Sequence, residues 1–317
     1  MGGFLLPVVA VVVVASFFHP VAQQLLGRFP RVHVALTSFL ALVVQAVPFI
    51  LVGAMVSAAV AKWMTPARWA RILPGHGMRA VLVAALVGLC LPTCECSSVP
   101  LAKRMILSGV SPAAATTMML AAPSANPLVI YATITAFGGW EMSLARLAAG
   151  LLAVLGVGFS VLWWGDRAFA GLCAAEEADV GASTSKSWWD VMSHDVLDSL
   201  TFLCVGGALA ATINLLIPLQ LLASLSDKVV FAVVIMMTLA IVASLCSFGD
   251  AFVANSLVGV HPAGMLGFMV IGPIFDFKLG AMMEGILGDK PTRFIAVSGF
   301  TMAFAATLVV AGLWGWL

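Results

Sequence analysis

Pro92-Thr93-Cys94-Glu95-Cys96-Ser97-Ser98-Val99-Pro100 places two thiols and a carboxyl within nine residues of an otherwise apolar region. Cysteines one residue apart fall on different faces of a helix, but a turn or an extended segment can aim both sulfurs at one soft ligand. A third thiol, Cys246, opens Cys246-Ser247-Phe248-Gly249-Asp250 and can approach from a distant part of the chain. Cys94, Cys96 and Cys246, with Ser97, Ser247 and Asn126, form the candidate solute-binding set. Cysteine also serves as a small buried hydrophobe. That plainer reading is preferred for Cys90, Cys173 and Cys204, and it stays open for the other three. No C-x-x-C and no H-x-x-x-H is present to complete a four-ligand zinc centre. Cys94, Cys96 and Cys246 are therefore expected to meet a soft metalloid only as transported solute, and no cofactor is expected.

Ionisable groups in apolar surroundings cost about 2.5–3.5 kcal/mol each on insertion scales, and they mark function by default. Glu95 sits in the first interrupted region, Asp250 in the second, and Asp276 with Lys278 shortly after Pro273. Glu95 and Asp250 are the leading candidates to bind a coupling proton. Asp276 is a further ion-coupling candidate, with an architectural pairing to Lys278 as its alternative.

The elements that carry these groups are duplicated. Residues 96–128 and 246–278 superimpose at a constant offset of 150: Cys96-Ser97 on Cys246-Ser247, Gly109-Val110 on Gly259-Val260, Pro112-Ala113 on Pro262-Ala263, Pro123 on Pro273, and Asn126 on Asp276. A second, slightly shifted match pairs residues 48–58 with 201–211. Duplicated hydrophobic halves interrupted by Gly and Pro at corresponding places are the pattern of a secondary transporter whose solute sits where the repeats meet.

Hydrophobic residues make up 62% of the chain and charged residues 9%, against roughly 25% charged in a soluble domain. This composition indicates a polytopic membrane protein. A formal net charge of +1 with no basic tract argues against a nucleic-acid partner. The apolar start has no Lys or Arg before it and reads as a retained first helix rather than a secretory signal.

A span needs about 20 mostly apolar residues. Segments 4–26, 34–61, 110–137, 147–165, 199–217, 264–283 and 294–316 qualify, whereas 80–107 and 229–258 are broken. Pro92, Pro100 and Gly249 interrupt the broken regions, and Pro123 and Pro273 kink the matching spans. Irregular backbone at membrane depth needs protein or a wet cavity to satisfy it, so both broken regions are candidate re-entrant hairpins. Lys62, Arg68, Arg71 and Arg79 before the first one, and Lys103-Arg104 after it, then share a cytoplasmic face. The repeats become inverted; if both regions instead cross fully, they run parallel. The expected fold is an all-α polytopic membrane protein of two repeats. Its parts are a first helix (1–33), repeat 1 (34–165), a polar linker with an interfacial helix (166–198), and repeat 2 (199–317).

Cys94-Glu95-Cys96-Ser97-Ser98-Val99-Pro100, Gly109-Val110-x-Pro112 and Ala122-Pro123-x-x-Asn126-Pro127 resemble the bacterial predicted permeases of the ArsP/YraQ type. Cys246-Ser247-x-x-Asp250-Ala251-Phe252 and Gly272-Pro273-x-x-Asp276-x-Lys278 are similar to the same family. The resemblance covers the chain from about residue 35 onward. It implies a permease of the bacterial plasma membrane, in a family whose characterised members export trivalent organoarsenicals. The expected function is non-enzymatic: a small thiophilic solute passes between two repeats, coupled to protons, in a bilayer-embedded chain with homo-oligomers allowed. The alternative is a transmembrane thiol-disulfide oxidoreductase using Cys96 and Cys246. No G-x-x-x-x-G-K-[ST] loop is present to bind ATP.

Overall fold

The computed structural model describes residues 77–91, 95–165, 167–171, 229–247, 249–257 and 260–316, with isolated positions at 55, 196–197 and 201. Span 4–26 and all but one residue of each of 34–61 and 199–217 lie outside the described residues, as do most of the linker, Pro92, Thr93 and Cys94. Ten helices organise the described part: α1 (Met78–Cys90), α2 (Glu95–Leu107), α3 (Pro112–Ala125), α4 (Pro127–Phe137), α5 (Trp140–Trp164), α6 (Val229–Ala243), α7 (Asp250–Ser256), α8 (Pro262–Ile271), α9 (Phe277–Leu287) and α10 (Asp289–Leu313). No strand occurs among the described residues. Three stretches are long and apolar enough to cross a bilayer: Pro112–Phe137, which is α3 and α4 together, Trp140–Trp164, and Asp289–Leu313. The chain is an all-α membrane protein.

The duplication reappears residue by residue in the helix ends. Pro112 and Pro262 stand at the first helical turn of α3 and α8, where a missing N–H costs nothing. Before them, the Ser111 hydroxyl accepts from Ala114 N–H and His261 Nδ1 accepts from Ala263 N–H, both at 3.4 Å. Asn126 caps α4 by accepting from Val129 N–H at 2.9 Å, and Asp276 caps α9 by accepting from Leu279 N–H at 2.6 Å. Gly138 and Gly288 close the same two helices at φ 67 and 95, a region that disfavours a side chain. Each half therefore presents a short helix pair, a span broken at an Asx cap, and an unbroken 25-residue helix.

Contacts between helices follow the same duplication. α1 packs on α3 as α6 packs on α8; α3 meets α5 as α8 meets α10. Across the halves, α5 lies on its counterpart α10, α2 touches α9, and α7 touches α4. α3 and α8 form the centre, buried nearly all round. Polar side chains within α3 turn back on their own helix: Thr117 donates to Ala113 O at 2.7 Å and Ser124 to Leu120 O at 2.6 Å.

Close approach depends on small residues, as is usual between membrane helices. At Gly158 on α5 an added Cβ would collide with the Thr117 hydroxyl and lie 2.9 Å from Val81 Cγ1. Gly158→Ala is expected to destabilise the folded protein by about 1–3 kcal/mol through overpacking. Thermal or denaturant unfolding of the purified chain in detergent checks this, with Gly171→Ala, which meets open space, as the neutral control.

Candidate functional site

Glu95 is the first residue of α2, Asp250 the first of α7, and Asp276 the N-cap of α9. A helix N-terminus favours a carboxylate there, which explains why each acid is tolerated at a helix break. All three are buried, and so are Arg146 and Lys278. These five are the buried charged residues among those described.

Their connections run from one half to the other. Lys278 Nζ meets Glu95 Oε2 at 2.9 Å, and Asp276 Oδ2 lies 3.6 Å from the same ammonium. Glu95 Oε1 accepts from the Ser247 N–H at 3.2 Å and from the Ser247 hydroxyl. The Ser247 carbonyl in turn accepts from Arg146 Nη2 at 3.0 Å. Arg146 Nη2 also bonds Asp250 Oδ2 at 2.8 Å, while its Nη1 donates to the Thr133 hydroxyl on α4 at 3.0 Å. A continuous chain thus links Lys278, Glu95, Ser247, Arg146 and Asp250. Glu95 and Arg146 belong to the first half; Ser247, Asp250, Asp276 and Lys278 belong to the second.

Local folding brings Ser247 to this position. α6 stops at Ala243, and Ser244 takes φ 47, uncommon for a residue with a side chain. The Cys246 carbonyl then accepts from Gly249 N–H at 2.8 Å and Asp250 N–H at 3.0 Å, starting α7. Cys246 is a half-buried thiol immediately before Ser247. Cys96 and Ser97 lie in the first turn of α2, directly after Glu95. The Glu95–Ser247 contact therefore brings the backbones of the two cysteine segments together. Gly272 at the end of α8 belongs to the same region: an added Cβ there would lie 3.8 Å from Asp250 Oδ2.

The expected interruptions take different forms. Pro100 is accommodated inside α2 and Pro123 inside α3, leaving the carbonyls of Cys96 and Met119 without their helical N–H partners. Among the described residues of these regions the helices break at Asn126, at Gly249 and at the 272–276 turn containing Pro273. Asn126 is occupied by the break, since its amide also donates to Ala122 O at 2.9 Å. No group of three His, Cys, Asp or Glu able to hold a metal ion occurs among the described residues.

Arg146 is the residue that reading the sequence overlooked. The uncharged run that marks this span begins at 147, but α5 starts at Trp140 and carries Arg146 well inside the bundle. Gly138-Gly139 was the available signal, because a helix begun there places Arg146 two turns deep. The pairing of Asp276 with Lys278 that the sequence offers is present at 3.6 Å, and the same ammonium lies nearer Glu95, at 2.9 Å.

Removing one partner of a buried ion pair strands the other, typically at about 3–5 kcal/mol. Arg146→Met is expected to lose that order of stability in a denaturant titration. Adding Asp250→Leu should recover part of the loss. Ser247→Ala, which keeps the N–H but removes the hydroxyl donor to a charged group, should cost about 1.5–3 kcal/mol.

Comparison with known proteins gives this arrangement a family. The predicted permease family ArsP_1 matches residues 31–312. A Streptococcus mutans protein bearing the name of a two-component membrane permease complex subunit is 30% identical over 266 residues, 80% of this chain and 87% of that protein. The UPF0718 protein YcgR of Bacillus subtilis is 28% identical over 281 residues, 86% of this chain and 96% of that protein. No solved structure matches. The oxidoreductase alternative finds no support in these relatives. With the family model spanning nearly all of a duplicated helical bundle whose halves meet at buried charges, the chain belongs to the ArsP_1 family of predicted membrane permeases.

Proposed function

We propose that this permease moves a small thiophilic solute, of the trivalent organoarsenical class, past the break where α2 and α7 begin. The observation that carries the reading is the Glu95–Ser247 contact, because it draws the Cys96 and Cys246 segments from opposite halves to one place. Soft trivalent metalloids bond thiolates in preference to oxygen. A carrier must also release its cargo, so a few sulfurs on elements from two halves suit transport better than a closed cage. Cys94, Cys96 and Cys246 are the proposed sulfur contacts, with Ser97, Ser247 and Asn126 lining the path.

α1 and α2 have 13 residues each, about 20 Å at 1.5 Å per residue, and so each falls short of a roughly 30 Å hydrocarbon core. That length supports a re-entrant pair. The repeats are then inverted about an axis in the plane of a bacterial plasma membrane, which the chain crosses several times. Energy comes from a proton taken up among Glu95, Asp250 and Asp276. The name of the Streptococcus relative adds a second subunit as a proposed partner.

Inverted membrane vesicles containing the chain should accumulate a trivalent aryl arsenical saturably. Cys96→Ser and Cys246→Ser should each weaken apparent affinity about tenfold or more, equivalent to about 1.4 kcal/mol, at unchanged membrane expression. Full uptake by both variants would remove the thiols from the mechanism.

A further inference from the structure

Arg146 is oriented for more than its charge requires. A buried guanidinium pairs most strongly with a carboxylate when two of its N–H groups meet both oxygens side by side. Here Arg146 reaches Asp250 through Nη2 and Oδ2 alone, at 2.8 Å, while Arg146 Nε and Asp250 Oδ1 are buried without a hydrogen-bond partner. Bonds left unmade in this way are costly. What the guanidinium gains instead is reach: the same Nη2 donates to the Ser247 carbonyl at 3.0 Å, and Nη1 donates to the Thr133 hydroxyl at 3.0 Å. Thr133 is itself fixed, since its hydroxyl donates to Val129 O at 2.8 Å. The plane of the side chain is thus set by Thr133 on one edge and by residues 247 and 250 on the other.

We infer that Arg146 is the positioning residue for the Cys246 thiol. It clamps the turn that follows Cys246 at two points, the Ser247 carbonyl and the Asp250 carboxylate. The turn also closes on itself, because the Cys246 carbonyl accepts from the N–H groups of Gly249 and Asp250. Cys246 immediately precedes Ser247, so its backbone cannot shift without straining these bonds. The far end of α7 is fastened to the same half: Asn255 Nδ2 donates to Ala136 O on α4 at 2.9 Å. α5 is in turn stitched to α4 one turn before Arg146, where Ser143 Oγ donates to Ile130 O at 3.2 Å. A thiol carried by the second half is therefore placed by the first.

The clamp has no copy. At the 150-residue offset Ala296 stands where Arg146 does, Met283 where Thr133 does and Pro100 where Asp250 does. The Cys96 segment thus lacks the side chains that hold its counterpart. The consequence for transport rests on the permease reading. A trivalent arsenical bearing two hydroxyls forms each As–S bond as a thiol proton leaves with one hydroxyl as water, with no change in oxidation state. A sulfur already held in place lowers the entropic cost of that step.

The test follows alkylation of Cys246 by N-ethylmaleimide in the purified full-length chain, read by peptide mass spectrometry, beside unfolding in denaturant. Arg146→Lys keeps a charge beside Asp250 but offers its donors from a single nitrogen, which cannot span Thr133 and Ser247. Arg146→Met combined with Asp250→Leu removes both charges, so it recovers stability while the clamp stays absent. Alkylation of Cys246 should rise about tenfold or more in both, the factor expected when a hydrogen bond to a charged group no longer opposes local opening. Gly158→Ala, destabilised away from the turn, should keep the native rate. A native rate in Arg146→Lys or in the double variant would overturn the proposal, because Arg146 would then serve only to neutralise Asp250; so would an equal rise in Gly158→Ala. Uptake of a trivalent aryl arsenical is read separately, and the double variant should raise KM about tenfold at unchanged maximal rate. A native KM in a chain whose uptake needs Cys246 would also overturn it. Uptake indifferent to Cys246→Ser, with alkylation as expected, would remove the thiol from transport and leave the positioning role standing.

Discussion

Ser247 is the joint on which this architecture turns. Its N–H and hydroxyl face Glu95 while its carbonyl faces Arg146, so one residue between two helices connects both inter-half ion pairs. Burying five charges in a membrane protein is costly unless every one finds partners. Here the partners come from opposite halves, which makes the charges a condition for assembly of the pair rather than of either half alone. The reciprocal packing of α2 on α9 and α7 on α4 supplies the frame, and the ion pairs supply its register.

The same arrangement places function where the fold is least regular. Each half breaks a central helix at the equivalent Asn126 and Asp276, and helix ends and acids collect where Glu95 meets Ser247 and Lys278. Irregular backbone is tolerated at membrane depth only where protein satisfies it, and Asn126 and Asp276 do so by capping α4 and α9. The duplication is nevertheless imperfect in its chemistry. Asn126 is neutral where Asp276 is an acid, Leu128 stands where Lys278 does, and Pro100 stands where Asp250 does. The backbone is doubled while the charge is not, so the two halves meet through a network with no symmetric copy.

Much of this was legible in the residues. Pairing Pro112 with Pro262 and Asn126 with Asp276 anticipated matching helix starts and breaks, because proline and Asx caps have few other uses in apolar sequence. The acids Glu95, Asp250 and Asp276 were picked out because carboxyls in apolar surroundings demand a reason. Partner choice was not legible. Arg146 and Asp250 are 104 residues apart, and nothing local in either segment names the other. Arg146 was misplaced because counting uncharged runs treats every arginine as a boundary, whereas a paired arginine can sit deep inside a helix. Asp276 and Lys278 pair as their spacing allows, while the tertiary fold adds a nearer acid, Glu95, to the same ammonium.

The central claim is that the halves are coupled through buried charge, and a double-mutant cycle on Glu95 and Lys278 tests it most directly. Unfolding free energies of the full chain would be measured with Glu95→Gln, with Lys278→Met, and with both. Residues in one ion-pair network are expected to show a coupling of about 0.5–3 kcal/mol. Losses that add to within about 0.5 kcal/mol would mean the two side chains act independently, and the interface would have to be held by packing alone.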